Sequence, residues 1–344
     1  MYTRPHRLRA GDTVASISLS SGAAAAFPGR YEIGKRQLEE TFGLQVIETP
    51  HALCDDAFLR ANPQARAEDL NWALENPDVR GIFSTIGGDD SVRILPYLDL
   101  ERIRANPKVF LGFSDASITL TAFLRAGVHA FHGPAILTDL AEAGGIRPYV
   151  ERSLRRVLFD PAPHDLEAAG VWSEQFLDWA EPQNLSIERD FIPSEGWHWL
   201  QGDGNVRGHL LGGSIEALEM LKGTQWWLPV ERWEGAILVF ETSEEAPPPE
   251  VVGRFLRNYG AQGILGKASG MLFARPMRYS MEQRWQLEEE ILRILTEFDR
   301  QDLPLVTNVD FGHTSPQLTL PLGTRAEIDT EDRRVRLLEP AVQP

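Results

Sequence analysis

Between Asp12 and Phe159 the chain switches repeatedly between two hydrophobic rhythms. Short alternating or continuous apolar runs give way to stretches in which apolar positions recur every three or four residues, and this predicts strands alternating with helices. "DTVASISLS", "LQVIET", "VRGIFSTIGG", "KVFLGF" and "VHAFHG" read as strands. "GRYEIGKRQLEETFG", "RAEDLNWALENP", "DDSVRILPYLD", "DASITLTAFLRAG" and "YVERSLRRVLF" read as helices. Apolar strands separated by helices are the signature of a mostly parallel sheet covered on both faces. "DPAPHDLEAAG" then breaks the cycle. Beyond it come glycine turns, a stretch over 172–233 that holds every tryptophan except Trp72 and Trp285, and a high share of strand: "GAILVFETSE", "SGMLFARP", "PLVTNVDFG", "QLTLPLG" and "RRVRLLEP". In the helix "EQRWQLEEEILRILTEF", Leu287, Ile291, Leu295 and Phe298 recur at helical spacing and are assigned to the core. The pattern predicts an α/β parallel-sheet unit over 1–160, a linker with a Trp-bearing loop over 161–200, and a strand-rich α+β unit over 201–344.

A chain of 344 residues is long enough for two such units with a cleft between them. The net charge of −16, without a block of Lys and Arg, argues against a nucleic-acid partner. One cysteine, Cys54, excludes an intramolecular disulfide framework and suits a reducing compartment, so a cytoplasmic location is expected. Arg4, Arg7 and Arg9 ahead of "TVASISLSSGAAAAF" imitate an export signal, but Asp12 interrupts the imitation and a first strand fits better. No apolar run approaches the ~20 residues of a membrane span. Neither H-x-x-x-H nor H-E-x-x-H occurs, and no metal or other cofactor is expected.

The candidate chemistry lies at the ends of predicted strands, where sites of α/β folds collect. Ser114 follows "KVFLGF" at a strand-to-helix turn. Such a serine can be a nucleophile lifted clear of the sheet beside free helix N–H groups, and read locally it can equally be an N-cap. The elbow pattern G-x-S-x-G is incomplete, with Ala116 where its second glycine would stand. Of eight histidines, His313 in "VTNVDFGHTSP" occupies a glycine-punctuated loop just past an apolar strand, where a base could reach a cleft. His129 and His132 read as core or edge histidines. Glu241 ends the strand "AILVF" and would be costly there without a partner, whereas Glu244 and Glu245 read as solvated. Gly87 and Gly88 let backbone approach a ligand and could supply an oxyanion N–H.

"LRAGDTVASISLSSG", "GIFSTIGGDDSVRILPYLD", "FLGFSDASITL", "GHLLGGSIEAL", "AILVFETSEE", "GMLFARP" and "FGHTSPQLTLPLG", in this order, resemble the LD-carboxypeptidase and microcin C immunity peptidases nearly end to end. The resemblance implies a flavodoxin- or amidotransferase-like N-terminal domain and a serine peptidase with a Ser114–Glu241–His313 triad. It also implies an oxyanion hole from the amides of Gly88 and Asp115, and a homodimer. Length and the Trp-rich middle favour the microcin-immunity branch. Trp172 and Trp179 in "GVWSEQFLDWAEP" resemble a loop that covers the substrate there, with Trp179 expected to stack on a nucleobase; packing of the second unit is the alternative for Trp172, Trp197 and Trp199. The expected substrate is a peptidyl or aminoacyl nucleotide. A murein tetrapeptide is the second choice within the same chemistry, and a non-catalytic binding protein on an amidotransferase-like scaffold the choice from another class.

Overall fold

The five apolar runs of the first half form five parallel strands: β1 (Thr13–Ile17), β2 (Gln45–Glu48), β3 (Val79–Ser84), β4 (Val109–Gly112) and β5 (Ala130–His132). The structure, a computed structural model, describes residues 2–344. The strands pair in the order β2-β1-β3-β4-β5, the flavodoxin-like arrangement. Helices pack on the sheet because their sequences leave an apolar face and carry clear stops. The helix Pro28–Phe42 begins on a proline and ends at Gly43, whose φ of 68° closes it.

One predicted helix takes a different form. "DDSVRILPYLD" is a 3₁₀ helix over Ser91–Tyr97, because Pro96 lies inside it and cannot donate its backbone hydrogen bond. Two short helices escape the periodicity altogether, Asp56–Ala61 and Leu100–Ala105. Each is set by an N-cap aspartate, Asp55 and Asp99.

The second half supplies β6 (His164–Leu166), β7 (Val171–Trp172), β8 (Ile192–Pro193), β9 (His198–Gln201), β10 (Asn205–Ser214), β11 (Ile237–Glu241), β12 (Gly270–Ala274), β13 (Leu305–Val309), β14 (Leu320–Leu322), β15 (Arg325–Asp329) and β16 (Arg334–Leu337). An eight-stranded sheet runs β6-β16-β15-β10-β11-β12-β13-β9. Its centre, β10 to β13, is parallel and its flanks are antiparallel. The segment expected as linker and loop, 161–200, thus contributes edge strands β6 and β9 to this sheet, while β7 and β8 form a separate two-stranded hairpin.

The two sheets are interlocked. β14 leaves the second half and adds antiparallel to β5, with Leu320 opposite His132. The helix Ser117–Ala126, buried nearly all round, lies between the sheets, and Ser117 Oγ accepts a hydrogen bond from the backbone N–H of Ser214 at the end of β10 (2.9 Å). The C-terminal ends of β4, β11 and β13 therefore open toward one place. No helix among the described residues is long and apolar enough to cross a membrane.

Candidate active site

Ser114 sits two residues beyond the end of β4, with φ at 59°, in the left-handed region that an L-residue enters only at a cost of about 1–3 kcal/mol. Its hydroxyl caps nothing: the 3₁₀ turn Ser114–Ala116 has Phe113 as its N-cap and no side-chain capping bond. The choice between cap and exposed hydroxyl is thus decided by backbone geometry. The strained turn is held from below by Asp115, whose buried carboxylate accepts from Ser20 Oγ (2.5 Å) and from the N–H of Ser91 (2.8 Å). Those contacts tie the loops after β1 and β3 to the serine.

His313, in the loop after β13, brings Nε2 to 3.1 Å from Ser114 Oγ. Its Nδ1–H donates to Glu241 Oε2 at 2.6 Å, so the carboxylate fixes the tautomer and the plane of the ring. Phe113 packs edge-on against the imidazole, with ring centroids 5.0 Å apart. Glu241 is fully buried at the end of β11, and its second oxygen accepts from Nε2–H of buried His132 at 3.3 Å. His132, expected as a core or edge histidine, lies in the core and also touches the carboxylate.

Burial alone would raise the Glu241 carboxyl, but His313 and His132 outweigh it and hold the group down at about 2. Burial likewise pulls His313 down, and here Glu241 and then Glu244 outweigh it and push the imidazole up to about 10. Glu244, expected in solvent, is exposed, and its Oε2 also lies 2.9 Å from His313 Nε2. Its position follows from the loop after β11, which Glu216 fastens by accepting from both the N–H and the hydroxyl of Ser243 (2.8 and 2.9 Å).

A cavity of about 430 Å³ opens on this group, lined by Ser114 and His313 together with Gly87, Gly88, Trp179 and Glu244. Gly87 is required by close approach, since a Cβ there would stand 2.8 Å from Ser114 Cβ and 2.9 Å from its hydroxyl. Gly88 has φ of 144°, a conformation closed to other residues. Gly87→Ala is expected to lower kcat roughly 10²-fold by displacing the hydroxyl, with the melting temperature measured alongside to confirm that the fold survives.

The Trp residues part company. Trp179 is half-buried on the cavity wall, with the Arg30 guanidinium 4.7 Å from its ring centre and Phe27 edge-on at 5.6 Å. Trp172 is buried away from the cavity between the guanidinium groups of Arg275 (4.9 Å) and Arg284 (4.4 Å). Trp197 donates to Asp310 (2.8 Å), the partner of Arg275, and is structural in the same knot. Arg30, against Trp179, and Arg189 are neutralised by Glu142 and Asp139 at 2.9–3.1 Å. This polar cluster joins residues more than a hundred positions apart and has no local signal in the sequence.

The geometry agrees with what relatives of the chain are. Residues 14–133 match the LD-carboxypeptidase N-terminal domain and residues 207–328 the LD-carboxypeptidase C-terminal domain. The microcin C7 self-immunity protein MccF of Escherichia coli is 26% identical over 96% of this chain and 94% of that protein. The murein tetrapeptide carboxypeptidase of Pseudomonas aeruginosa is 30% identical over 91% of this chain and 92% of that one. Among solved structures, MccF in complex with aspartyl sulfamoyl adenosine superposes with a TM-score of 0.88 at 26% identity, covering 99% of this chain and all of the other. With both domain models matched in order and two sheets of the expected kinds, the chain belongs to the LD-carboxypeptidase family of serine peptidases.

Proposed function

We propose that this enzyme hydrolyses the amide-type bond of an aminoacyl or peptidyl nucleotide through an acyl-enzyme on Ser114. The observation that carries the reading is the unbroken line from Ser114 Oγ through His313 to buried Glu241, at 3.1 and 2.6 Å, opening on a cavity walled by Trp179. His313 Nε2 takes the Ser114 proton as Oγ attacks the carbonyl carbon. The same nitrogen returns that proton to the leaving nitrogen as the C–N bond breaks, and then activates water to release the acid. The amides of Gly88 and Asp115 are the proposed donors to the oxyanion. Trp179 offers a flat aromatic surface to a nucleobase, a use that fits a nucleotide and has no counterpart in an alanine leaving group.

Cleavage of a murein tetrapeptide is the second reading, favoured by the 30% identity to the Pseudomonas aeruginosa enzyme. Release of nucleoside from an aminoacyl sulfamoyl adenosine and of alanine from a tetrapeptide, measured side by side, separates the two. Turnover of the tetrapeptide alone would overturn the nucleotide reading. Trp179→Ala is expected to raise KM for the nucleotide substrate about 5- to 100-fold, the range of one stacking contact, with kcat within about threefold. A peptide substrate should not respond.

A further inference from the structure

The nitrogen that must accept the Ser114 proton is shared. His313 Nε2 faces Ser114 Oγ at 3.1 Å and the Glu244 carboxylate at 2.9 Å. With Nδ1–H already given to Glu241 Oε2, the ring lies between two carboxylates. Such an arrangement favours the imidazolium, and an imidazolium cannot accept a proton. Among the described residues Glu244 has no Arg or Lys in ion-pair contact, and its side chain is 54% exposed on the cavity wall. Arg278, also on the cavity wall, donates to the backbone carbonyl of Glu244 at 3.1 Å and makes no ion pair with its carboxylate. The other cations of the cavity, Arg30 and Arg189, are held by Glu142 and Asp139.

We propose that Glu244 is a specificity-determining residue that restrains the catalytic histidine until a substrate ammonium group, on the carbon next to the scissile carbonyl, takes the carboxylate from Nε2. This deepens the hydrolase reading and rests on it. An α-ammonium nitrogen lies two bonds from the carbonyl carbon, at roughly 2.5 Å by standard geometry. When that carbon sits over Ser114, the ammonium falls within hydrogen-bond reach of a carboxylate that already borders the same histidine. Transfer of Glu244 to the ammonium removes one of the two anions holding the ring protonated, and Nε2 becomes free to accept. The chemical class selected is an acyl group consisting of one amino acid with its amine free. A longer peptide carries an uncharged amide at that atom, and an N-acylated substrate lacks the cation.

The charged groups around His313 are accounted for element by element. Glu241 at the end of β11 is common to both states, and His132 of β5 reaches only its far oxygen. Asp310, on the histidine's own loop, is tied to Arg275 at 2.7 Å. Glu216 underlies the loop through Ser243, and Arg278 contacts Glu244 by its carbonyl alone. Glu244 is therefore the movable charge.

The test compares the parent with Glu244→Gln on two substrates, an aminoacyl sulfamoyl adenosine with a free amine and its N-acetyl derivative, as kcat/KM against pH. The parent is expected to prefer the free amine by at least about tenfold at neutral pH, and Glu244→Gln to reduce that preference below about threefold. On the N-acetyl substrate the ascending limb of the parent should lie above neutrality and fall by about one pH unit or more in the variant. An unchanged preference together with an unmoved limb overturns the proposal. In parallel, the rate of Ser114 phosphonylation by an uncharged fluorophosphonate, with fluoride leaving, is followed against pH in both proteins. Labelling in which the limb does not move between parent and variant overturns the role of Glu244 alone. Failure to label Ser114 at any pH overturns the hydrolase reading beneath it.

Discussion

Ser114→Ala is expected to lower kcat by about 10⁴–10⁶, the range over which loss of a triad nucleophile acts in serine peptidases. Among the described residues the hydroxyl is the only group in contact with His313 Nε2 that can form a stable acyl bond to a carbonyl carbon, since the neighbouring Glu244 gives no stable acyl intermediate. Substrate binding should persist, since the cavity walls are untouched, so calorimetry on the variant should return a dissociation constant within a few-fold of the parental KM. His313→Ala and the double variant should each cost about as much as Ser114→Ala alone, because the two side chains act as one unit. Hydrolysis within about tenfold of the parent in Ser114→Ala would mean that the protein binds its ligand without the proposed chemistry, or performs it elsewhere.

Glu241→Gln carries the second large expectation, a loss of about 10²–10⁴ in kcat with a change in the pH dependence of stability. The carboxyl stands at about 2 in the folded protein against an ordinary 4.5. Its contribution to stability is therefore fully present above about pH 4.5 and is lost as pH falls toward 2. His313 moves the other way, from an ordinary 6.5 to about 10, so the same contact is fully present below about pH 6.5 and is lost as pH rises through 10. One interaction seen from its two ends is counted once. Removing the charge leaves two buried histidines facing a neutral amide, a change of the kind that costs about 3–5 kcal/mol when a buried pair is broken. The difference in melting temperature between parent and Glu241→Gln should be greatest between about pH 4.5 and 6.5 and shrink on both sides. A difference independent of pH would mean that the two groups are not an ion pair in the folded state.

What could be read in the sequence was what short-range periodicity and strand ends carry. The alternation of strand and helix placed β1 to β5, and with them Ser114, because a parallel sheet buried on both faces writes itself as apolar runs. Glu241 and His313 were found for the same reason, as polar residues at the ends of such runs. Glu244 is exposed as its sequence context suggests, but its contact with His313 has no local signal, because nothing nearby distinguishes it from Glu245. Its direction is set by the grip of Glu216, 27 residues earlier, on Ser243 and by the left-handed Ala246 (φ 49°) that follows. Trp172 and Trp179 looked alike in one short segment, yet one is clasped by two arginines from distant helix and strand ends while the other faces the cavity. The short helices Asp56–Ala61 and Leu100–Ala105 were lost because six residues are too few for a helical period to emerge.

The loop that bears His313 is a span moored at both ends. It leaves β13 in one sheet and, seven residues beyond the histidine, enters β14 in the other, where Leu320 stands opposite His132. Partway along it, Ser315 exchanges backbone hydrogen bonds with Ser173 (2.7 and 2.9 Å), which pins the root of the segment carrying Trp179 to the same span. Any parting of the two sheets would therefore pull on His313 itself, and the segment between Ser173 and Arg189, whose guanidinium also donates to Ser315 Oγ (2.7 Å), is moored to that same span at both of its ends.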